Sequence, residues 1–150
     1  MAKILVIDDD AIVRITIVQL LEDAGHLVRW AVDGLRGMAV FRGWQPDLVI
    51  TDIIMPDQEG IQTITEMRAA KRDMKIIAMS GGGRIGNTDF LQIARVLGAM
   101  AVVPKPFHPD FLLAVVDNCL SGRARRDDPE RAAQIEPALA RPASPPRRAG

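Results

Sequence analysis

The sequence predicts an α/β domain in which five parallel strands form a sheet with helices on both faces. Three observations lead there. Short continuous apolar runs recur through residues 1–120, longer amphipathic stretches alternate with them, and glycines or prolines mark the joins. A run that is apolar at every position suits a strand buried on both faces, as in a parallel sheet covered by helices. No sequence repeat underlies this alternation.

Taken in order, Ile4-Leu5-Val6-Ile7 is the first strand. The helix after it carries Ile12, Ile15, Val18 (or Gln19), Leu20 and Leu21 at helical spacing and is ended by Gly25. Leu27-Val28-Arg29-Trp30-Ala31-Val32 is the second strand. Asp33 to Arg42 is the second helix, with Asp33 as cap, Leu35, Met38, Ala39 and Phe41 as inner face, and Gly43 at its end. Leu48-Val49-Ile50 is the third strand, and Gly60 to Ala70 the third helix, with Ile61, Ile64 and Met67 one turn apart. Lys75-Ile76-Ile77-Ala78-Met79 is the fourth strand. A fourth helix is expected over Asn87 to Leu97, capped by Asn87 or Thr88 and ended by Gly98. Ala101-Val102-Val103 and a helix over Asp110 to Leu120, introduced by Pro109, complete the alternation.

The 19 basic and 19 acidic residues cancel only over the whole chain. Residues 1–120 hold 12 basic and 15 acidic side chains, whereas 121–150 hold 7 arginines and 4 acids. That last stretch also holds 5 of the 10 prolines and has almost nothing to bury, so it cannot offset its own ordering entropy. The expected organisation is a domain over 1–120 and a disordered Arg/Ala/Pro-rich tail over 121–150, with no second folded domain after residue 120. The interleaved acids and the lack of an aromatic make the tail read as a solvated extension and not as a nucleic-acid contact. A lone Cys119 excludes a disulfide scaffold. No run approaches the roughly 18 apolar residues of a membrane span, and the N-terminus has no leader pattern, so the cytoplasm is the expected location.

In such sheets ligands bind beyond the carboxyl ends of the strands. The residues ending the strands are Asp8 and Asp9, Asp52, Ser80 and Lys105. Three carboxylates together repel one another unless a cation sits among them. Oxygen ligands with room for water suit Mg²⁺, and a nearby ammonium and hydroxyl complete a site for a phosphoryl group. One carboxylate can then act as nucleophile and form an aspartyl phosphate.

Ile4-Leu5-Val6-Ile7-Asp8-Asp9-Asp10, Asp47-Leu48-Val49-Ile50-Thr51-Asp52-Ile53-Ile54-Met55-Pro56, Ala78-Met79-Ser80 and Lys105-Pro106-Phe107 resemble, in order and spacing, the response-regulator receiver domain of bacterial two-component signalling. The resemblance covers residues 3–120 and implies a flavodoxin-like, doubly wound sheet of strand order 2-1-3-4-5. It implies that Asp52 accepts the phosphoryl group and that Asp9 and Asp52 ligate Mg²⁺ with the backbone carbonyl of Ile54. Asp8 would then hold the metal through water, Ser80 would donate to a phosphoryl oxygen, and Lys105 would pair with another. A cis Lys105–Pro106 bond, and a loop after Asp52 shaped by Pro56 and Gly60, are further implications. So are an upstream histidine kinase or histidine phosphotransfer protein docking near Ile12 and Ile15, an unidentified downstream protein, and a monomer or weak dimer. Such a domain modifies itself and is not a turnover enzyme.

Two features depart from the family pattern. Val102 stands where many relatives carry a switching aromatic, and Gly81-Gly82-Gly83 with Gly86 makes the loop past Ser80 unusually free, so that phosphorylation is expected to order it. The resemblance implies that Ile54 and Gly82 flank the phosphoryl position; neither offers a side chain to orient water, so self-dephosphorylation is expected to be slow. The glycine run also fits G-x-G-x-x-G, but it follows the fourth strand and has no acidic ribose partner. Two rivals remain open. One is an aspartyl-phosphate hydrolase of haloacid-dehalogenase type using Asp8 with Asp10, although Asp10 also suits the cap of the first helix. The other is a phosphate-independent pseudo-receiver that acts as a binding module. His26, His108, Trp30, Trp44, Cys119, Met38, Met67 and Met100 read as structural.

Overall fold

The computed structural model describes residues 1–53, 59–80 and 98–122. Their elements are β1 (Lys3–Ile7), α1 (Ala11–Asp23), β2 (Leu27–Ala31), α2 (Gly34–Trp44), β3 (Leu48–Asp52), α3 (Glu59–Ala70), β4 (Lys75–Ser80), β5 (Ala101–Pro104) and α4 (Pro109–Leu120). The fourth helix expected from the sequence, the glycine run at 81–83, Ile54 to Pro56 and the tail from 123 onward lie outside the described residues.

All five strands are parallel, in the order β2-β1-β3-β4-β5. The apolar runs of β1, β3 and β4 are buried on both faces, because alternate residues of each strand enter two separate cores. Ile4, Val6, Ile50, Ile77 and Met79 pack with Ile17 and Leu21 of α1 and with Leu112 and Val116 of α4. Leu5, Ile7, Val49, Ile76 and Ala78 face the other way, onto Met38 and Phe41 of α2 and Ile64 and Met67 of α3. Burial of this kind stabilises by about 1.5–3 kcal/mol per large aliphatic side chain, before its share of chain entropy is counted.

β2 departs from the expectation of two buried faces. It is an edge strand, and only Ala31 of its five residues is buried. Two helix faces also differ from expectation. On α1, Ile17 and Leu21 point inward with Val13 and Val18 beside them, and Ile12 and Ile15 are exposed. On α2, Leu35 and Ala39 are exposed, and the inner face is Gly34, Gly37, Met38 and Phe41. Gly37 lies so close to the sheet that an added Cβ would come within 2.9 Å of Ile7 Cγ1. Helix α2 runs past Gly43 to Trp44 and is closed by Gln45 in the left-handed conformation, φ 55°.

The capping residues explain where the helices start. Asp33 Oδ1 accepts from the Arg36 amide at 2.8 Å, as its position before α2 predicts. Asp10 Oδ1 accepts from the amides of Ile12 and Val13 at 2.9 and 3.2 Å. His108 caps α4 through Nδ1, which accepts from the Asp110 amide at 3.1 Å, with Pro109 at the first helical position. Gly25, at φ 91°, turns the chain from α1 into β2. Cys119 is buried in the first core and Trp44 packs against the second. No helix among the described residues is long and apolar enough to cross a membrane.

Candidate functional site

The strand register brings the predicted residues together at one rim. Ile7 lies opposite Thr51, so Asp8 and Asp52 follow as neighbours across β1 and β3. Asp52 pairs with Met79, which puts Ser80 one step further out, and Ser80 pairs with Pro104, which does the same for Lys105. Strand order reverses beside β1, whose neighbours β2 and β3 follow it by crossovers on opposite faces of the sheet, and the crevice this leaves is where such folds bind ligands. The Lys105–Pro106 bond is cis, as the resemblance implies.

Lys105 Nζ donates to Asp8 Oδ2 at 2.7 Å and to Asp52 Oδ2 at 2.9 Å. The lysine side chain is 14% exposed and the two carboxylates are buried, so this bridge sits where charge interactions are strong. The Lys105 amide also donates to the Ser80 carbonyl at 2.8 Å, which fixes the start of the lysine against β4. Asp8 is held on every side. Its amide donates to Ala31 O, its Oδ1 accepts from the Asp10 amide, and its carbonyl accepts from Arg14 Nη1 at 2.9 Å. Burial pushes the Asp8 carboxyl above its ordinary value, against the Lys105 and Asp10 hydrogen bonds that pull it down. Burial also opposes the Lys105 ammonium, but its bonds to Asp8 and Asp52 outweigh that effect and hold its pKa above the usual lysine value.

Asp9 is exposed and completes the group: the ligand oxygens of Asp8, Asp9 and Asp52 all lie within 4.8 Å of one another. An all-oxygen set with one open side fits a hard divalent cation that keeps part of its water, as Mg²⁺ does. Ser80 gives a second sign of an absent partner. Its Oγ is buried yet has no hydrogen-bond partner among the described residues. A buried hydroxyl left this way costs free energy unless a ligand oxygen meets it. Ile54, whose carbonyl the resemblance adds to this set, lies outside the described residues. Asp10, the second carboxylate of the hydrolase reading, is engaged as the cap of α1.

One site residue escaped the sequence reading. Arg14 lies on α1, and its spacing from Asp8 carries no motif that the reading used. Its only sequence signal is a cation one turn into the helix that follows an acidic strand end.

The comparisons with known proteins agree with this arrangement. A family profile described as response regulator receiver domain matches residues 4–117. The sporulation initiation phosphotransferase F of Bacillus subtilis is 30% identical over 108 residues, covering 72% of this chain and 85% of that protein. The DNA-binding transcriptional regulator NtrC of Azospirillum brasilense is 35% identical over 131 residues, covering 80% of this chain but 24% of the relative's own length. Among solved structures, a response regulator receiver domain protein from Clostridium thermocellum superposes with a TM-score of 0.73 at 30% identity, over 82% of this chain and 97% of that one. With the strand order, the rim of acids and the profile match in agreement, the chain belongs to the response regulator receiver domain family of two-component systems.

Proposed function

We propose that the domain accepts a phosphoryl group on Asp52 from the phosphohistidine of a histidine kinase or a histidine phosphotransfer protein, with Mg²⁺ held by Asp8, Asp9 and Asp52, and that the modification alters its contacts with another protein. The observation that carries this reading is the Lys105 bridge between Asp8 and Asp52 beside a buried Ser80 hydroxyl that has no hydrogen-bond partner among the described residues. An oxygen of the Asp52 carboxylate attacks phosphorus; the new P–O bond forms as the P–N bond to the donor imidazole breaks, and the imidazole nitrogen keeps the electron pair and is protonated from solvent. Bound Mg²⁺ would neutralise charge on the phosphoryl oxygens. Lys105, already within hydrogen-bond distance of Asp52, needs only to turn its ammonium outward to meet one of those oxygens. Ser80 Oγ, buried and without a partner among the described residues, donates to another. Ile12 and Ile15, 79% and 64% exposed on the helix that starts at the site, offer the donor protein an apolar docking face.

The acceptor is the protein's own side chain, so the reaction is self-modification and the phosphoryl group leaves by slow hydrolysis. Ile54 and Gly82 supply no group to orient the attacking water. Ile54→Asn and Gly82→Glu are each expected to shorten the lifetime of the aspartyl phosphate, and an unchanged lifetime would contradict this account of its persistence. The reading as a whole is tested with beryllofluoride, a phosphoryl mimic. With Mg²⁺ present it is expected to shift the amide signals of Asp52, Ser80 and Lys105, and to leave them unmoved in Asp52→Asn. Unmoved signals in the parent protein would favour a phosphate-independent binding module.

A further inference from the structure

Asp9 is the exposed member of the acidic cluster, and among the described residues nothing hydrogen-bonds to its carboxylate. Its place therefore depends on the backbone that delivers it. The Asp8 carbonyl and the Asp9 amide belong to one planar peptide unit, so a grip on the carbonyl oxygen fixes the direction in which Asp9 leaves. That grip is Arg14 Nη1, 2.9 Å from Asp8 O. The guanidinium is itself held, with Cζ 4.5 Å from the centre of the Trp30 ring. Trp30 lies opposite Val6 on the edge strand β2 and is 52% exposed, more than packing alone would ask of a tryptophan. A flat aromatic face under a flat guanidinium limits the rotamers of a long side chain, which a lysine could not match.

We propose that Arg14, stacked on Trp30, is a positioning residue for the metal-binding carboxylates: it sets the Asp8–Asp9 peptide so that Asp9 faces the ion. This inference rests on the metal reading above. It also makes Trp30 a reporter, since an ion that draws on Asp9 strains the peptide held by Arg14.

The test is a Mg²⁺ titration of the full chain, read by the amide shifts of Asp9 and Asp10 and by tryptophan emission in Trp44→Phe, which leaves Trp30 as the one tryptophan. Trp30 emission is expected to change with the same midpoint as the amide shifts. Arg14→Met is expected to abolish that emission response and to raise the Mg²⁺ dissociation constant about tenfold. Trp30→Ala should weaken binding similarly, and Trp30→Phe, which keeps a ring face, should restore it to within about twofold of the parent. Parent-like affinity in Arg14→Met overturns the proposal, as does equal weakening in Cys119→Ala, a core change in the last turn of α4. Absence of any Mg²⁺-dependent shift in the parent protein would overturn the metal reading and this inference together, whereas normal binding in both the parent and Arg14→Met would overturn this inference alone.

Discussion

Asp8 is fully buried and has Lys105 at 2.7 Å, yet burial keeps its carboxyl above the ordinary 3.8. An acid whose pKa rises on folding destabilises the fold once it is ionised. In the metal-free protein the unfavourable contribution of Asp8 is therefore relieved as pH falls through its folded pKa toward 3.8. Asp8→Asn removes the ionised form at neutral pH and leaves Lys105 its bond to Asp52. Calorimetry without metal is expected to show the variant more stable by about 1 kcal/mol, with weaker Mg²⁺ binding. Equal or lower stability would mean that the Lys105 bridge outweighs the cost of burial. Cys119 gives a second titration, far from the site. Burial pushes its thiol from 9.0 up to about 11. Between those values the unfolded chain releases the proton and the folded one keeps it, so stability falls as pH rises. The loss is roughly 2–3 kcal/mol across the window, at about 1.4 kcal/mol per unit. Urea midpoints at the two ends of the window should show that fall, and a smaller one in Cys119→Ala; equal slopes would contradict it. The same buried thiol is expected to resist alkylating reagents until the chain unfolds.

At the scale of elements, the strands were more legible in the sequence than the helix faces. β1, β3 and β4 sit in the middle of the sheet, where both faces are apolar, and their runs announce it. The run of β2 is interrupted by Arg29, and the implied order 2-1-3-4-5 already puts it at the edge of the sheet, where only Ala31 of its residues is buried. On α2 a count of apolar residues turned Leu35 and Ala39 inward. The structure turns Gly34 and Gly37 inward; at Gly37 the close approach to Ile7 requires an absent side chain, and hydropathy gives glycine little weight. His108 is an uncommon cap, and only the geometry of its Nδ1 shows the role. Two contacts between elements carry a stability prediction. A Cβ on Gly60 would lie 2.7 Å from the Ile53 carbonyl oxygen and would also meet that of Asp52, at the strand end that carries the site. Gly60→Ala is therefore expected to cost about 1–3 kcal/mol in urea unfolding, and a neutral effect would mean that α3 can shift freely. Arg68, near the end of α3, donates to the carbonyls of Arg72, Met74 and Gly98 and so ties α3 to the turns before β4 and β5. Arg68→Ala is expected to lower the urea midpoint by an amount equivalent to about 1–3 kcal/mol; an unchanged midpoint would show that these bonds merely replace water.

Over the whole molecule, the candidate site follows from where the parallel sheet ends its strands. Asp8 and Asp52 lie level across β1 and β3, and a one-step offset at β4 and another at β5 bring Ser80 and Lys105 to the same rim. The strand-end residues were legible because the alternation of elements fixed which residues end strands. The hold of Arg14 on Asp8 was not legible, because it depends on the rotation of α1 over β2. If the Arg-rich tail is only an extension, deleting 121–150 is expected to leave phosphorylation of the domain unchanged, as measured by extent of labelling. The most direct test of the central claim is intact mass after incubation with Mg²⁺ and acetyl phosphate, followed by borohydride trapping and peptide mapping. The account predicts a single phosphoryl group on Asp52, lost in Asp52→Asn and on chelation of the metal. Modification at Asp8, or labelling that persists in Asp52→Asn, would contradict it.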